Sequence, residues 1–313
     1  MDIHNLEQIK QEFSDFQQEF ETGNKEKALE KLLELLDALE EADTSRRAAQ
    51  IDKDGNVTLS SEIPAGKPAA EKSAEDGTGE SQPLYMSLNH VMEYYIFAYY
   101  FQPATEVRCT DIPYGEYYRT YGQLALSMQK YNGAKKAYER AIAWNPVDLD
   151  AYLGLAEVYK YQNQREKYLT VTKQAYRYCC TRATMARYYR NMAFYYLSGY
   201  EPETARACYQ YSNVYYHTEN ADSELKYISE AIQQETPQTD IRAIQKLFDE
   251  KQIEPGPDSQ TIGIVYKVGE ILLKDGDYKL AKDCYSIVYD ITQDASAEKL
   301  LNELEAAITG TEE

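Results

Sequence analysis

The chain has 313 residues, 43% of them hydrophobic, and a formal net charge of −19. This length corresponds to about two ordinary domains or to one array of short repeats. The negative charge disfavours nonspecific binding to nucleic acid or anionic lipid, because both depend on a cationic surface. Tyrosine contributes 31 residues, against 7 phenylalanines and 1 tryptophan. Most aromatic side chains therefore carry a hydroxyl, which suits thin structures whose interior lies close to water.

The N-terminus contains acidic residues from Asp2 onward and no apolar run behind a basic start, so the sequence predicts neither a signal peptide nor a transit peptide. No stretch approaches the ~18 consecutive apolar residues that would cross a bilayer. We therefore expect a cytoplasmic protein. The five cysteines show no CxxC spacing and no neighbouring histidine, which argues against a zinc site or a disulfide framework. They are Cys109, Cys179, Cys180, Cys208 and Cys284.

Residues 1–45 are predicted to form an N-terminal helical hairpin. Apolar residues recur at spacings of three and four on both sides of a Gly-Asn break at 23–24. The expected buried stripe of the second helix comprises Leu29, Leu32, Leu33, Leu36 and Leu39. Residues 46–83 lose this periodicity and are rich in Pro, Gly, Ser and charge, which predicts a flexible linker or loop.

Within that segment, residues 52–63 match a calcium-binding EF-hand loop at three ligand positions, Asp52, Asp54 and Asn56. Val57 stands where the sharp turn needs glycine, and Ile63 stands where a bidentate glutamate is needed. A Gly-centred turn or a small hairpin is therefore the better interpretation. No metal site is predicted.

Helical periodicity returns at residue 84, and 26 of the 31 tyrosines lie between 84 and 220. From Gly115 onward, large and small apolar residues alternate in a fixed order over 34 residues. In this first unit they are Tyr118, Tyr121, Gly122, Ala125, Ala134, Tyr138, Ala141 and Pro146. Similar units begin near Leu149, Ala186 and Ile262. The small residues let two helix backbones approach, and the aromatic residue fills the space between successive hairpins.

This pattern resembles the tetratricopeptide repeat (TPR) family. The resemblance implies an all-α fold over residues 84–313, a TPR-like α-solenoid in which antiparallel helix pairs form a right-handed superhelix. The repeats are clear over 115–219 and 262–295 and eroded over 221–254. Residues 296–308 are predicted to form a capping helix.

In TPR proteins the first helix of each pair lines a concave wall that grips extended peptides or partner helices. The partner-binding residues that the resemblance implies are Arg119, Gln123, Tyr161, Arg187, Arg190, Asn191 and Phe194. Chaperone-binding members carry a carboxylate clamp of Lys, Asn and Arg. Here two clamp positions are matched in kind, but Gly154 replaces the central Asn and Asn191 replaces the last Arg. The alternative is that the arginines pair with acidic residues of neighbouring helices, namely Glu116, Asp150 and Glu157.

The sequence contains no recognised catalytic motif, and the three histidines are scattered over the chain. We therefore expect no enzyme and no cofactor, but a non-catalytic adaptor or scaffold that binds a protein or peptide through its concave surface. The mildly basic segment 84–220, with 15 basic against 12 acidic residues, favours an acidic or carboxylate-bearing ligand.

Two alternatives accompany this interpretation. In the first, the chain is a peptide-sensing TPR regulator whose N-terminal hairpin is the output module. Against this alternative, residues 1–83 carry 20 acidic against 9 basic residues and show no helix-turn-helix for DNA. Alternatively, the acidic end of the chain occupies the groove itself. That end consists of Thr311, Glu312 and Glu313.

Overall fold

The structure is a computed structural model that describes residues 5–43, 45–54, 56–60 and 83–310. The chain divides into two compact units, Met1–Lys167 and Tyr168–Glu313. The division falls inside one helix, and the domain boundary predicted at residue 84 stays a prediction. Across the described residues, helices dominate and the strands are three residues long.

The first unit contains two hairpin helices, four short strands and the helices of the first clear repeats. In chain order these elements are α1 (Leu6–Glu21), α2 (Lys25–Ala42), β1 (Ala49–Ile51), β2 (Val57–Leu59), β3 (Leu84–Met86), α3 (Val91–Phe101), β4 (Val107–Cys109), α4 (Tyr114–Ser127), α5 (Tyr131–Trp144) and α6 (Leu149–Tyr161). Helix α7 (Arg165–Tyr176) contains the division between the units.

The N-terminal hairpin packs on α4 within this unit. The Phe13 and Tyr117 rings stack with centroids 4.2 Å apart. The Tyr118 hydroxyl donates to Glu40 Oε1 over 2.5 Å, so a polar contact accompanies the apolar one. The α2 stripe differs from the prediction at one residue, because Leu33 is 42% exposed and Leu35 is buried instead. Leu33 lines an open cleft of about 280 Å³ between α2 and the α4–α5 pair.

A small hairpin occupies the start of the predicted linker. Strands β1 and β2 pair antiparallel. The Asp52 carboxylate closes the turn, because its Oδ1 accepts from the main-chain N–H groups of Asp54 and Asn56 over 2.8 and 2.9 Å. The carboxylate that resembled a calcium ligand thus holds the main chain of a hairpin. Residues 61–82, where most of the linker was predicted, lie outside the described residues.

The second unit contains the remaining helices. They are α8 (Arg182–Ser198), α9 (Pro202–Tyr215), α10 (Glu219–Ile232), α11 (Ile241–Lys251), α12 (Ser259–Lys274), α13 (Tyr278–Thr292) and α14 (Ala295–Gly310). Helices α10 and α11 occupy the eroded repeat, and α14 occupies the predicted cap. Leu304 of α14 packs with Ala281 and Tyr285 of α13 in one buried cluster.

A glycine and an aromatic ring determine how closely the helices approach. A Cβ atom on Gly122 of α4 would lie 2.9 Å from the Tyr138 ring, and one on Gly154 of α6 would lie 2.2 Å from it. The ring of α5 therefore occupies the space that a side chain would need on both neighbouring helices. Gly269 and Tyr285 repeat this arrangement in α12 and α13, at 3.0 Å. The small residue predicted on the first helix of a pair thus contacts the aromatic residue predicted on the second, as Gly122 does with Tyr138 and Gly269 with Tyr285.

The hairpins also share one turn. Its left-handed residue precedes the second helix by two positions in each of five hairpins. These residues are Gly23, Gln129, Asn163, Tyr200 and Gly276. The turn between α1 and α2 therefore has the same form as the turns of the repeats. Together with the ring-on-glycine packing, it confirms the prediction of an all-α fold built from TPR-like helix pairs.

Gly154→Ala should destabilise the protein by about 1–3 kcal/mol, because the added methyl overlaps the Tyr138 ring in a packed core. Chemical unfolding measures the change. Gly263 of α12 is the matched control, since nothing lies within 4 Å of its Cβ position. Gly263→Ala should stabilise by about 0.5–1 kcal/mol through helix propensity alone. Equal effects at the two glycines would contradict the packing described.

Tyr200→Gly should stabilise the protein by about 1 kcal/mol, because a side chain in the left-handed region is strained whereas glycine is not. Tyr200 has φ +62° and is 94% exposed, so packing does not offset that strain. Tyr200→Phe keeps the strain and should leave the melting temperature unchanged. A loss of stability in Tyr200→Gly would show that the phenol ring supports the turn.

Candidate functional site

In the first unit, Arg119 lies at the centre of a polar network on the N-terminal side of α4. Its Nε is 3.1 Å from Asp148 Oδ2, and its Nη1 is 3.1 Å from Asp150 Oδ2. Its Nη2 donates to Asn89 Oδ1 over 2.8 Å. The alternative in which this arginine pairs with acidic residues of a neighbouring helix is therefore realised at Asp150. A ligand carboxylate would have to compete with Asp148 and Asp150 for the Arg119 guanidinium.

The same network fixes the start of α3. The Asn89 side chain donates to Asp148 Oδ2 over 3.2 Å and to Glu93 Oε1 over 3.0 Å. Asn145 at the end of α5 donates to Glu93 Oε2 over 2.8 Å. Asp148 also caps α6, because its Oδ1 accepts from the Ala151 N–H over 3.1 Å. The network thus joins α3, α4 and the α5–α6 turn.

Burial governs the protonation of Asp148. Removal from water raises the pKa of its carboxyl from 3.8 to about 6, although Arg119 opposes the shift and Glu93 adds to it. The ion pair and the burial act in opposite directions, and burial is the larger effect. Asp150 was predicted from the sequence as a partner of the arginines, whereas Asp148, Glu93 and Asn89 were not. The Asn145-Pro-Val-Asp148 segment before α6 was a helix-cap signal that points to Asp148.

Two other predicted residues of the first unit lie at its surface. Gln123 is exposed on α4. Tyr161 at the end of α6 is 59% exposed, and its ring stacks on Tyr131 with centroids 5.6 Å apart. The structure provides here an accessible aromatic pair and an amide. Gly154, which stands at the central clamp position, lies under the Tyr138 ring, so an asparagine would not fit there.

In the second unit, Arg187 and Arg190 lie three residues apart on α8 and both are half-buried. Burial lowers the pKa of Arg190, and the positive charge of Arg187 lowers it further. Arg190 Nη1 donates to the Tyr216 carbonyl over a long 3.5 Å. Among the described residues, no carboxylate lies within ion-pair distance of Arg190. Two partly desolvated positive charges are therefore adjacent.

Asn191 and Phe194 are placed differently from the arginines. Asn191 is 5% exposed, so its side chain lies in the interior and not on an accessible wall. Its main-chain carbonyl accepts from the Tyr168 hydroxyl over 3.1 Å. Phe194 is half-buried and meets the Tyr168 ring edge-on with centroids 5.3 Å apart. Phe194 thus offers one apolar edge near the arginine pair along α8, whereas Asn191 contributes to packing.

The cysteines lie mostly in packed surroundings. Cys179 is buried and Cys180 is half-buried. Burial raises the pKa of Cys180 to about 11 and raises that of Cys179 further. Both remain neutral thiols near pH 7. Within the described ranges, no three His, Cys, Asp or Glu side chains form a group that could hold a metal ion. No described helix is long and apolar enough to cross a membrane.

No protein-family model matches this sequence, and no curated protein does. Among solved structures, the APC/C hetero-tetramer Cut9–Hcn1 is 14% identical over 63% of this chain and 38% of that chain, with a TM-score of 0.36. PilF of Pseudomonas aeruginosa is 15% identical over 64% of this chain and 86% of its own, with a TM-score of 0.34. YrrB, a TPR protein with an unusual peptide-binding site, is 14% identical over 60% and 91%, with a TM-score of 0.32.

The TPR-like character of this chain rests on its own helix pairs, through the ring-on-glycine contacts and the shared left-handed turn.

Asp148→Asn should remove a specific part of the pH dependence of stability. Because the folded pKa of Asp148 lies above 3.8, the folded state binds more protons from about pH 4 to 6. The free energy of unfolding therefore falls as pH rises through this range. Asparagine keeps the helix cap but does not titrate. Urea unfolding between pH 4 and 7 measures the difference in slope between the variant and the unaltered protein.

Asp150→Asn is the matched control, because Asp150 also contacts Arg119 but its side chain is 68% exposed. It should keep the pH dependence of the unaltered protein. Parallel curves for Asp148→Asn and the unaltered protein would contradict the assignment.

Proposed function

We propose that this protein is a non-catalytic adaptor or scaffold that binds a protein or peptide partner, and that it prefers an acidic or carboxylate-bearing segment. The observation that carries the proposal is the pair Arg187 and Arg190 on α8. Both are half-buried, and Arg190 has no carboxylate partner among the described residues. A ligand carboxylate would relieve the repulsion between the two guanidinium groups.

The chemistry of arginine supports this ligand class. A guanidinium presents several donors in a planar fork that matches the two oxygens of a carboxylate. Arg190 is half-buried, so part of the water around it is already removed, and this burial lowers its pKa. A carboxylate that reaches it therefore gains a charge-assisted hydrogen bond at a smaller desolvation cost. Phe194 and the exposed Tyr161 are proposed to contact apolar parts of partner segments in their respective units.

The charge distribution supports binding at physiological salt. The basic segment 84–220 lies between two acidic segments, each with 20 acidic against 9 basic residues. At ~0.15 M salt the Debye length is about 8 Å, so acidic charges farther than this from the arginines are largely screened while direct contacts persist. The net charge of −19 also supports a protein partner over nucleic acid or an anionic membrane.

The regulator alternative has less support. In the first unit the N-terminal hairpin packs on α4 through Phe13 and Tyr117, and the Tyr118 hydroxyl donates to Glu40. A module anchored in this way is a poor candidate for an independent output domain. The competing idea that the acidic end occupies the groove concerns residues 311–313, which lie outside the described residues.

Arg187→Ala with Arg190→Ala should weaken binding of an acidic peptide at least about ten-fold, since each lost charged hydrogen bond costs roughly 1.5–3 kcal/mol. The probe is a labelled peptide of Asp and Glu residues with a free C-terminal carboxylate, titrated by fluorescence anisotropy in 0.15 M salt. A peptide of the same length with Asn and Gln should bind weakly.

The matched control is Lys226→Ala with Arg242→Ala, which removes the same charge from exposed positions of the second unit. It should leave binding unchanged. An equal loss in both double variants would indicate general electrostatic attraction, and no saturable binding to the unaltered chain would contradict the preference for acidic ligands.

A further inference from the structure

Three tyrosine hydroxyls of the second unit hold three consecutive main-chain carbonyls. Tyr189 donates to the Glu254 carbonyl over 2.9 Å, and Tyr211 donates to the Pro255 carbonyl over 2.6 Å. Tyr176 donates to the Gly256 carbonyl over 3.0 Å. The segment 253–258, here called the strap, reads Ile-Glu-Pro-Gly-Pro-Asp and connects α11 to α12. Residues from α7, α8 and α9 thus bind it through its backbone.

The groove under the strap is a preformed aromatic surface. The Tyr189 ring meets Tyr211 edge-on at 4.9 Å and lies nearly parallel to Phe248 at 5.6 Å between centroids. Tyr215 lies 5.6 Å from Tyr189 on another side. Because the rings support one another, the hydroxyl positions are fixed by packing. Ile253 is buried at one end of the strap and provides its apolar anchor.

The chemistry of the groove matches a proline-containing backbone. The three hydroxyls act as donors to carbonyl oxygens, and Pro255 and Pro257 have no N–H that would need an acceptor. Hydrogen bonds to the main chain do not discriminate between side chains, so selectivity for a sequence depends on the two prolines and the apolar anchor. Proline also restricts the unbound chain, which lowers the entropy cost of binding.

The helix that precedes the strap is held by few apolar contacts. This helix, α11, buries only Ile244 and Phe248 of its 11 residues. Residues 233–240 before α11 are almost entirely exposed, and Glu254 and Pro255 of the strap are exposed on the outer side. Segments with few buried apolar contacts open locally at low free-energy cost. Displacement of the strap breaks the three tyrosine hydrogen bonds and exposes Ile253, and a bound peptide of the same chemistry would replace those contacts.

We propose that this groove is a second peptide-binding site, that it recognises proline-containing segments of a protein partner that bend as the strap does at Pro255 and Gly256, and that the strap fills it in the absence of that partner. The partner segment would present an apolar residue followed by prolines at alternate positions, as Ile253, Pro255 and Pro257 do in the strap. This site shares no residue with the arginine pair, so each proposal can fail without the other.

The test uses the full chain with its strap altered by Ile253→Gly, Glu254→Ser, Pro255→Gly and Pro257→Ser, which removes the apolar anchor and both prolines of the strap and keeps the tyrosines of the groove. The probe is a labelled peptide that corresponds to residues 251–259. It should bind this chain saturably, and a peptide with alanine in place of both prolines should bind at least about ten-fold more weakly. Absence of saturable binding to the folded variant overturns the proposal.

A matched pair of variants tests the hydroxyls on the same background. Tyr189→Phe with Tyr211→Phe removes two donors and should weaken peptide binding about 30-fold, at roughly 1 kcal/mol for each hydrogen bond. Tyr188→Phe with Tyr209→Phe removes two hydroxyls from the same helices that do not bind the strap, and it should leave binding unchanged. Equal losses in the two double variants overturn the assignment.

A second measurement applies if the strap variant does not fold. In the unaltered chain, saturating peptide should speed hydrogen exchange at the strap amides, including those of Ile253 and Gly256, because the peptide displaces the strap. Unchanged exchange at those amides overturns the proposal. A dimer of the unaltered chain that the peptide dissociates would assign the groove to a second copy and overturn the choice of a different protein as partner.

Discussion

The close approach of helix backbones around a tyrosine ring is the constraint on which the rest of the structure depends. Tyr138 can lie between α4 and α6 only because Gly122 and Gly154 leave space for it. This packing places the N-terminus of α4 beside the cap of α6, and there Arg119 reaches Asp148 and forms the polar network. The glycine that permits the packing also excludes an asparagine from the clamp position. The helix packing therefore limits which side chains α6 can present at this position.

The fold was largely predictable because each helix pair is specified by a residue pattern within its own short stretch of sequence. Small and aromatic residues recur at fixed spacing, and the ring-on-glycine contacts at Tyr138 and Tyr285 show what that spacing achieves. The shared turn of the N-terminal hairpin was not predictable in this way. A left-handed residue can be Gly, Asn, Gln or Tyr here, so its identity carries little signal. Leu33 was misassigned because α2 packs along a slightly different face of the helix.

The candidate site was only partly predictable. The position of a residue in the repeat predicts which face of its helix it lies on, but not which residues of neighbouring helices it contacts. Arg119 and Arg190 are equivalent in the repeat, yet Arg119 contacts two carboxylates and Arg190 contacts a carbonyl. The difference arises from Asp148 and Asp150, which the second repeat supplies and the eroded repeat does not. The two proposals therefore assign two kinds of recognition to the second unit, a charged pair suited to side chains or termini and a hydroxyl row suited to main-chain carbonyls.

The use of tyrosine in place of phenylalanine also places an alkaline limit on this architecture. Burial raises the pKa of Tyr159 and of Tyr215 to about 12, and it raises that of Tyr189 further. Because the unfolded phenol ionises near pH 10, the stability that these side chains contribute is lost as pH rises above that value. A phenolate cannot donate a hydrogen bond, so ionisation of Tyr189 would release the strap at the same time. Base would thus favour unfolding of both units, whereas a core of phenylalanine would be indifferent to alkali.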